Sequence, residues 1–120
     1  MSRRLLIVDD HPGFRRTAAR SLEAAGWEVV GEAEDGAAAL RLAADCEPDV
    51  VLLDVGLPDI SGIEVARQLH QRTPELDIVV TSTHDRADYG ELAARSGARG
   101  FLSKLDLSSE ALAALVESRG

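Results

Sequence analysis

The sequence predicts an α/β domain built on a doubly wound parallel sheet, and three observations predict it. Short β-branched apolar runs alternate with longer stretches of helical spacing, turn residues separate the two, and one run is apolar at every position. The runs are Leu5–Val8, Val29–Val30, Val50–Leu53, Ile78–Val80 and Phe101–Leu102. Strands separated by helices are joined by crossovers rather than hairpins, which places helices on both faces of the sheet and makes three layers.

Each element follows from its residues. After the first run, Phe14, Ala18, Leu22 and Ala25 recur at intervals of three and four, the spacing of an amphipathic helix. Val29-Val30-Gly31-Glu32 mixes apolar and polar positions and reads as an edge strand. Asp35-Gly36 and Glu47-Pro48-Asp49 are turn signals on either side of the second helical stretch. Val50-Val51-Leu52-Leu53 has no polar position, as a central strand covered on both faces requires. Pro58 and Gly62 mark the next turn, followed by Ile63, Ala66 and Leu69 at helical spacing, with Thr73-Pro74 beyond. Leu92 and Ala93 belong to a fourth helix that ends at Ser96-Gly97. Leu112, Leu115 and Val116 form a fifth, with Ser108 or Ser109 as its N-cap.

The 120 residues suffice for one domain, taken as residues 1–120, with a core of its own. The run Leu5–Val8 is too short for a signal peptide and ends in two acids, and no apolar stretch approaches the ~20 residues that span a bilayer. Cys46 has no partner for an intramolecular disulfide, which points to the reducing cytoplasm. A net charge of −8 argues against nucleic-acid binding by this domain and against an anionic membrane surface. An acidic site that recruits a divalent cation suits it better.

In open α/β sheets ligands bind beyond the carboxyl ends of the strands. Here those ends carry Asp9-Asp10, Asp54, Thr81-Ser82 and, just past the fifth run, Lys104. Three carboxylates in one crevice repel unless a cation neutralises them, and an all-oxygen set suits Mg²⁺. A lysine and a hydroxyl beside them would hold phosphoryl oxygens, and a carboxylate so surrounded can act as a nucleophile. Any one of these residues alone is more simply a turn or cap residue; their joint occurrence at four strand ends argues for a site.

These residues resemble the receiver domain of two-component response regulators over essentially the whole chain. The resemblance rests on Asp9-Asp10, on the D-x-x-x-P-x-x-x-G stretch from Asp54 through Pro58 to Gly62, and on Gly100-Phe101-Leu102-Ser103-Lys104. Asp9-Asp10-His11-Pro12 and Val29-Val30-Gly31-Glu32-Ala33 are further similar to the NarL/FixJ-like subfamily. The resemblance implies a flavodoxin-like, CheY-like fold with strand order 2-1-3-4-5. It implies Asp54 as phosphoacceptor, with Mg²⁺ held by Asp10, Asp54 and the Gly56 carbonyl and by Asp9 through water. Lys104 is then the phosphoryl partner, Ser82 the switch hydroxyl, with Thr81 as the alternative, and Phe101 the rotating aromatic. Gly56, His84 and Thr81 are candidate modulators of hydrolysis. The partner is a sensor histidine kinase or histidine phosphotransfer protein, and phosphorylation switches the surface of the fourth helix, fifth strand and fifth helix, with homodimerisation as an accompanying expectation. NarL/FixJ-like regulators usually continue into a helix-turn-helix DNA-binding domain, so the resemblance implies an output such as transcription without naming it; ending at Gly120 suits a lone receiver or a piece of a longer regulator. Such a domain catalyses its own phosphorylation and dephosphorylation without being a turnover enzyme.

Receivers often have Lys-Pro with a cis bond where this chain has Lys104-Leu105; cis before leucine costs about 2.5–4 kcal/mol, so a trans bond is expected. His11 reads as a helix-start residue, because no second His or Cys lies at ligand spacing. His70 reads as solvated, Trp27 and Tyr89 as packing residues, and Cys46 as a small residue at a helix end. A flavodoxin-type cofactor binder would need a Gly- and Ser/Thr-rich loop where Asp9-Asp10 stand. A haloacid-dehalogenase phosphatase would need an acid where Gly56 stands. An interaction module that is never phosphorylated is the remaining rival.

Overall fold

A computed structural model describes residues 3–83 and 87–117, side chains excepted at 87–89 and 117. Five strands, β1 (Arg4–Val8), β2 (Glu28–Ala33), β3 (Val50–Asp54), β4 (Asp77–Ser82) and β5 (Gly100–Ser103), form one parallel sheet in the order β2-β1-β3-β4-β5. Between and after them run α1 (Pro12–Ala24), α2 (Gly36–Cys46), α3 (Gly62–Arg72), α4 (Ala87–Ser96) and α5 (Ser109–Glu117). The strand order reverses at β1 and β3, so the crevice between their carboxyl ends is where a ligand can enter. Every residue of β3 is buried, and β2 lies at the edge, as their compositions imply.

Alternation along the strands divides the core in two. Leu6, Val8, Val51, Leu53, Ile78 and Val80 face one way, packing with Val65, Ala66 and Leu69 of α3 and Ala93 of α4. Leu5, Ile7, Val50, Leu52 and Val79 face the other, packing with Ala18 and Leu22 of α1 and Leu112 and Val116 of α5. Each large aliphatic side chain removed from water contributes about 1.5–3 kcal/mol, which holds the helices on the sheet despite ordinary local propensities. Trp27 is buried in the second layer, and its Nε1 donates to Ser109 Oγ at 3.1 Å.

The caps explain the helix boundaries. Asp35 accepts from Ala38 N at 2.8 Å, Ser61 from Ile63 N at 3.1 Å, and Ser108 from Ala111 N at 3.0 Å, which settles the N-cap of α5. Asp59 reaches across from the β3–α3 loop and accepts from Gly36 N at 2.8 Å and Ala37 N at 2.9 Å, tying that loop to the start of α2. These bonds hold the Asp59 carboxyl below its usual range. No described peptide bond is cis, Lys104–Leu105 included.

Three positions differ from the sequence reading. Ala25 caps α1 and is exposed rather than joining its buried stripe, because the chain turns at Gly26, which has φ +104°. Leu92 is 41% exposed while Ala93 beside it is fully buried, since α4 turns Ala93 and Ser96 towards the sheet. His70 is half-buried rather than solvated: a Cβ at Gly97 would lie 2.3 Å from its ring, and only a glycine at φ +97° allows that packing.

Candidate functional site

The site is assembled by strand ends. Asp9 follows β1, Asp54 closes β3, Thr81 and Ser82 close β4, and Lys104 opens a single 3-10 turn (Lys104–Asp106) after β5. Asp54 pairs in register with Thr81, and Ser82 with Ser103. By alternation Asp9, Asp54, Thr81 and Lys104 fall on the α1–α5 side of the sheet, while Ser82 falls on the same side as Phe101. Thr81, Ser82 and Asp54 are all at least 95% buried, and Phe101 is partly buried against the core.

Backbone contacts hold the acids in place. Asp9 N donates to Ala33 O at 3.0 Å, and Arg15 Nη1 donates to Asp9 O at 2.6 Å while its Nε donates to Glu32 at 3.1 Å. Val55 N donates to Thr81 O at 2.9 Å, and Gly62 N to Val55 O at 3.0 Å. A Cβ on Gly62 would stand 2.1 Å from the Asp54 carbonyl oxygen, so the glycine of the D-x-x-x-P-x-x-x-G stretch is what lets α3 begin against the end of β3. Gly56 is the opposite case: it is exposed, and a Cβ there would meet only Asp54 Oδ2, at 3.9 Å.

The charges are close and poorly shielded. Lys104 Nζ lies 2.5 Å from Asp9 Oδ2 and 3.6 Å from Asp54 Oδ2, and its side chain is 8% exposed. Burial raises the Asp54 pKa from its ordinary value; Lys104 opposes that, Asp9 adds to it, the Gly56 backbone N–H opposes it, and Asp10 adds to it. Asp10 Oδ1 is buried, and the group that approaches it is the ring of His11. Ligand atoms of Asp9, Asp10, His11 and Asp54 all lie within 4.8 Å of one another. Carboxylates crowded this way fit a hard divalent cation such as Mg²⁺. His11 does stand at the N-cap of α1, but its exposed ring also reaches the rim of the cluster, with Nδ1 3.2 Å from Asp9 Oδ1 and 3.1 Å from Asp10 Oδ1. A spacing rule based on second His or Cys ligands misses this contact; adjacency to the acid pair is the signal that carries it. His84 lies outside the described residues.

Residues 5–117 match the family model described as the response regulator receiver domain. The chain belongs to that family. A putative transcriptional regulator of Pseudomonas aeruginosa is 38% identical over 92% of this chain and 54% of its own length. The transcriptional regulatory protein DegU of Brevibacillus brevis is 38% identical over 90% of this chain and 46% of its own. Among solved structures, the signal receiver domain of the putative response regulator NarL from Mycobacterium tuberculosis superposes with a TM-score of 0.89 at 36% identity, covering 98% of each chain. A CheY-like receiver from Methanospirillum hungatei, at 21% identity and a TM-score of 0.85, shows the shared fold. The receiver described here is therefore NarL-like, and it spans about half the length of the curated relatives it matches.

Proposed function

We propose that this receiver accepts a phosphoryl group on Asp54, transferred from a phosphohistidine of a sensor histidine kinase or histidine phosphotransfer protein. The observation that carries the reading is Lys104 Nζ standing 3.6 Å from Asp54 Oδ2 inside a crevice of three carboxylates. Mg²⁺ held by Asp10, Asp54 and the Gly56 carbonyl would supply the charge that offsets the acids and draws in the donor's phosphoryl oxygens. An Asp54 carboxylate oxygen attacks phosphorus, the phosphorus–nitrogen bond breaks, and the imidazole leaves with its electron pair. Lys104 meets one phosphoryl oxygen and the Ser82 hydroxyl donates to another. Asp9 keeps Lys104 at the crevice before transfer. Water attacking the acyl phosphate then returns Asp54, so the domain resets without acting on a small-molecule substrate.

Ser82 suits the coupling role because it shares a sheet face with Phe101, whereas Thr81 lies beside Asp54 on the opposite face. Movement of Ser82 towards the phosphoryl group leaves space that Phe101 fills, and the α4–β5–α5 surface changes with it. Shifting such an equilibrium from 1:99 to 99:1 needs about 5.5 kcal/mol of differential binding, so an incomplete switch is expected. The relatives named as transcriptional regulators support transcription as the output of the whole protein. No described helix is long and apolar enough to cross a membrane, which accords with a cytoplasmic site of action.

Incubation with Mg²⁺ and acetyl phosphate should add about 80 Da, the mass of a phosphoryl group, to the wild type and nothing to Asp54→Asn. Undiminished labelling of Asp54→Asn would sink the assignment, and a wild type that takes no label would favour an interaction module.

A further inference from the structure

Lys104 has a neighbour that the phosphotransfer reading does not use. Its Nζ lies over the ring of Phe14, 4.6 Å from the centroid, in addition to its contacts with Asp9 and Asp54. Phe14 comes from the first turn of α1, and on the other side of this pair is a cavity of about 180 Å³ between α1 and the start of α5. Phe14, Ala18, Leu22, Lys104, Leu107 and Ser108 contribute to its walls.

We propose that Phe14 is a positioning residue for Lys104: the face of its ring holds the ammonium at the acid crevice and keeps it out of the α1–α5 cavity. A lysine has a flexible four-carbon stem and no preferred geometry for its three donors, so its head group needs something to hold it. The cavity offers it an alternative, with the polar residues Thr17, Ser21 and Ser108 in its lining. An aromatic face attracts a cation electrostatically, and more strongly where water is excluded, as around a side chain only 8% exposed. That attraction has little directionality across the ring. The ammonium can therefore shift from Asp9 to a phosphoryl oxygen on Asp54 while remaining over Phe14, which a single fixed hydrogen bond would not allow. The proposal rests on the reading of Lys104 as the phosphoryl partner.

The simpler role for Phe14 is packing, since it adjoins the α1–α5 core layer. Phe14→Leu and Phe14→Met keep an apolar wall and lose the ring; Phe14→Tyr keeps the ring. In the full chain with Mg²⁺ and acetyl phosphate, both non-aromatic variants should slow labelling of Asp54 by about three- to tenfold, the range of a cation–π contact, and Phe14→Tyr should restore it. Mg²⁺ affinity should fall in none of the three, since withdrawing the ammonium from the acids leaves them no less attractive to a cation. The ε-CH₂ protons of Lys104 should show an upfield ring-current shift in wild type and Phe14→Tyr that disappears in Phe14→Leu. In a Lys104→Met background, Phe14→Leu should slow the reaction no further. An unchanged ε-CH₂ shift in Phe14→Leu, or the same slowing with and without Lys104, would overturn the positioning role. Wild-type labelling by Lys104→Met alone would instead overturn the reading of Lys104 beneath it.

Discussion

Lys104 Nζ is 2.5 Å from Asp9 Oδ2 but 3.6 Å from Asp54 Oδ2, so the crevice lysine is paired first with the acceptor's neighbour. Asp9 therefore acts on Asp54 twice. Its own charge raises the Asp54 pKa, and it draws away the ammonium that lowers it. Asp9→Asn reverses both effects in the same direction. Asp54 in metal-free Asp9→Asn should titrate at lower pH than in the wild type, as followed by its Cγ carbon resonance. A midpoint unchanged or higher would contradict this account.

Asp54 also links stability to pH. Its folded pKa is raised, chiefly by burial, so the protonated form is the one the fold favours. The stability this contributes is fully present below the unfolded pKa and is lost as pH rises through the folded value. Above that folded value the wild type carries a buried charge that Asp54→Asn does not. Thermal unfolding of metal-free protein should then show Asp54→Asn melting several degrees above wild type, with the difference shrinking as the solution is acidified. Saturating Mg²⁺ should narrow the gap by stabilising only the charged site. A variant that melts lower than wild type at neutral pH would refute the linkage.

The two neighbouring acids should differ towards metal. Asp10 has a buried oxygen approached only by the exposed His11 ring, while Asp9 is already committed to Lys104 and to the backbone N–H of His11 at 2.8 Å. Asp10→Asn should weaken Mg²⁺ binding about tenfold or more, the scale expected for losing a direct carboxylate ligand, and Asp9→Asn considerably less. Calorimetric titration separates them. Coincident curves would remove the distinction.

Gly62 and Gly56 make opposite predictions within one loop. A methyl on Gly62 meets the backbone of Asp54 and Val55 at 2.1 and 2.7 Å, and backbone cannot give way as a side chain can. Gly62→Ala should lose about 3 kcal/mol of stability in urea unfolding, in the overpacking range. At Gly56 a Cβ makes only ordinary contact with Asp54 Oδ2, at 3.9 Å, so Gly56→Asn should fold normally and bring a polar side chain beside the oxygen that hydrolytic water must approach. Its acyl phosphate lifetime should change several-fold. A stable Gly62→Ala or an unaltered lifetime in Gly56→Asn would each overturn its half of the contrast.

The fold and the acid set were legible along the chain because both are written in short-range patterns. Burial on both faces leaves β3 without a polar position, half-burial leaves β2 mixed, and a polar residue directly after an apolar run marks a strand's end whatever its neighbours are. Asp9, Asp10, Asp54 and Lys104 could therefore be assigned to one crevice from the chain alone. The tertiary structure decided what those groups touch: that Lys104 pairs with Asp9 before Asp54, that the Phe14 ring lies under its ammonium, that the His11 ring reaches the acids, and that His70 packs on Gly97. It also separated Thr81 from Ser82 by sheet face, and turned Leu92 outwards on α4. The physical reason is that periodicity records which positions leave water, an average property of each segment. Which side chain fills a given space depends on the register of β1 against β3 and of β4 against β5, and on how closely α1 and α3 approach the sheet, distances that only the assembled chain defines.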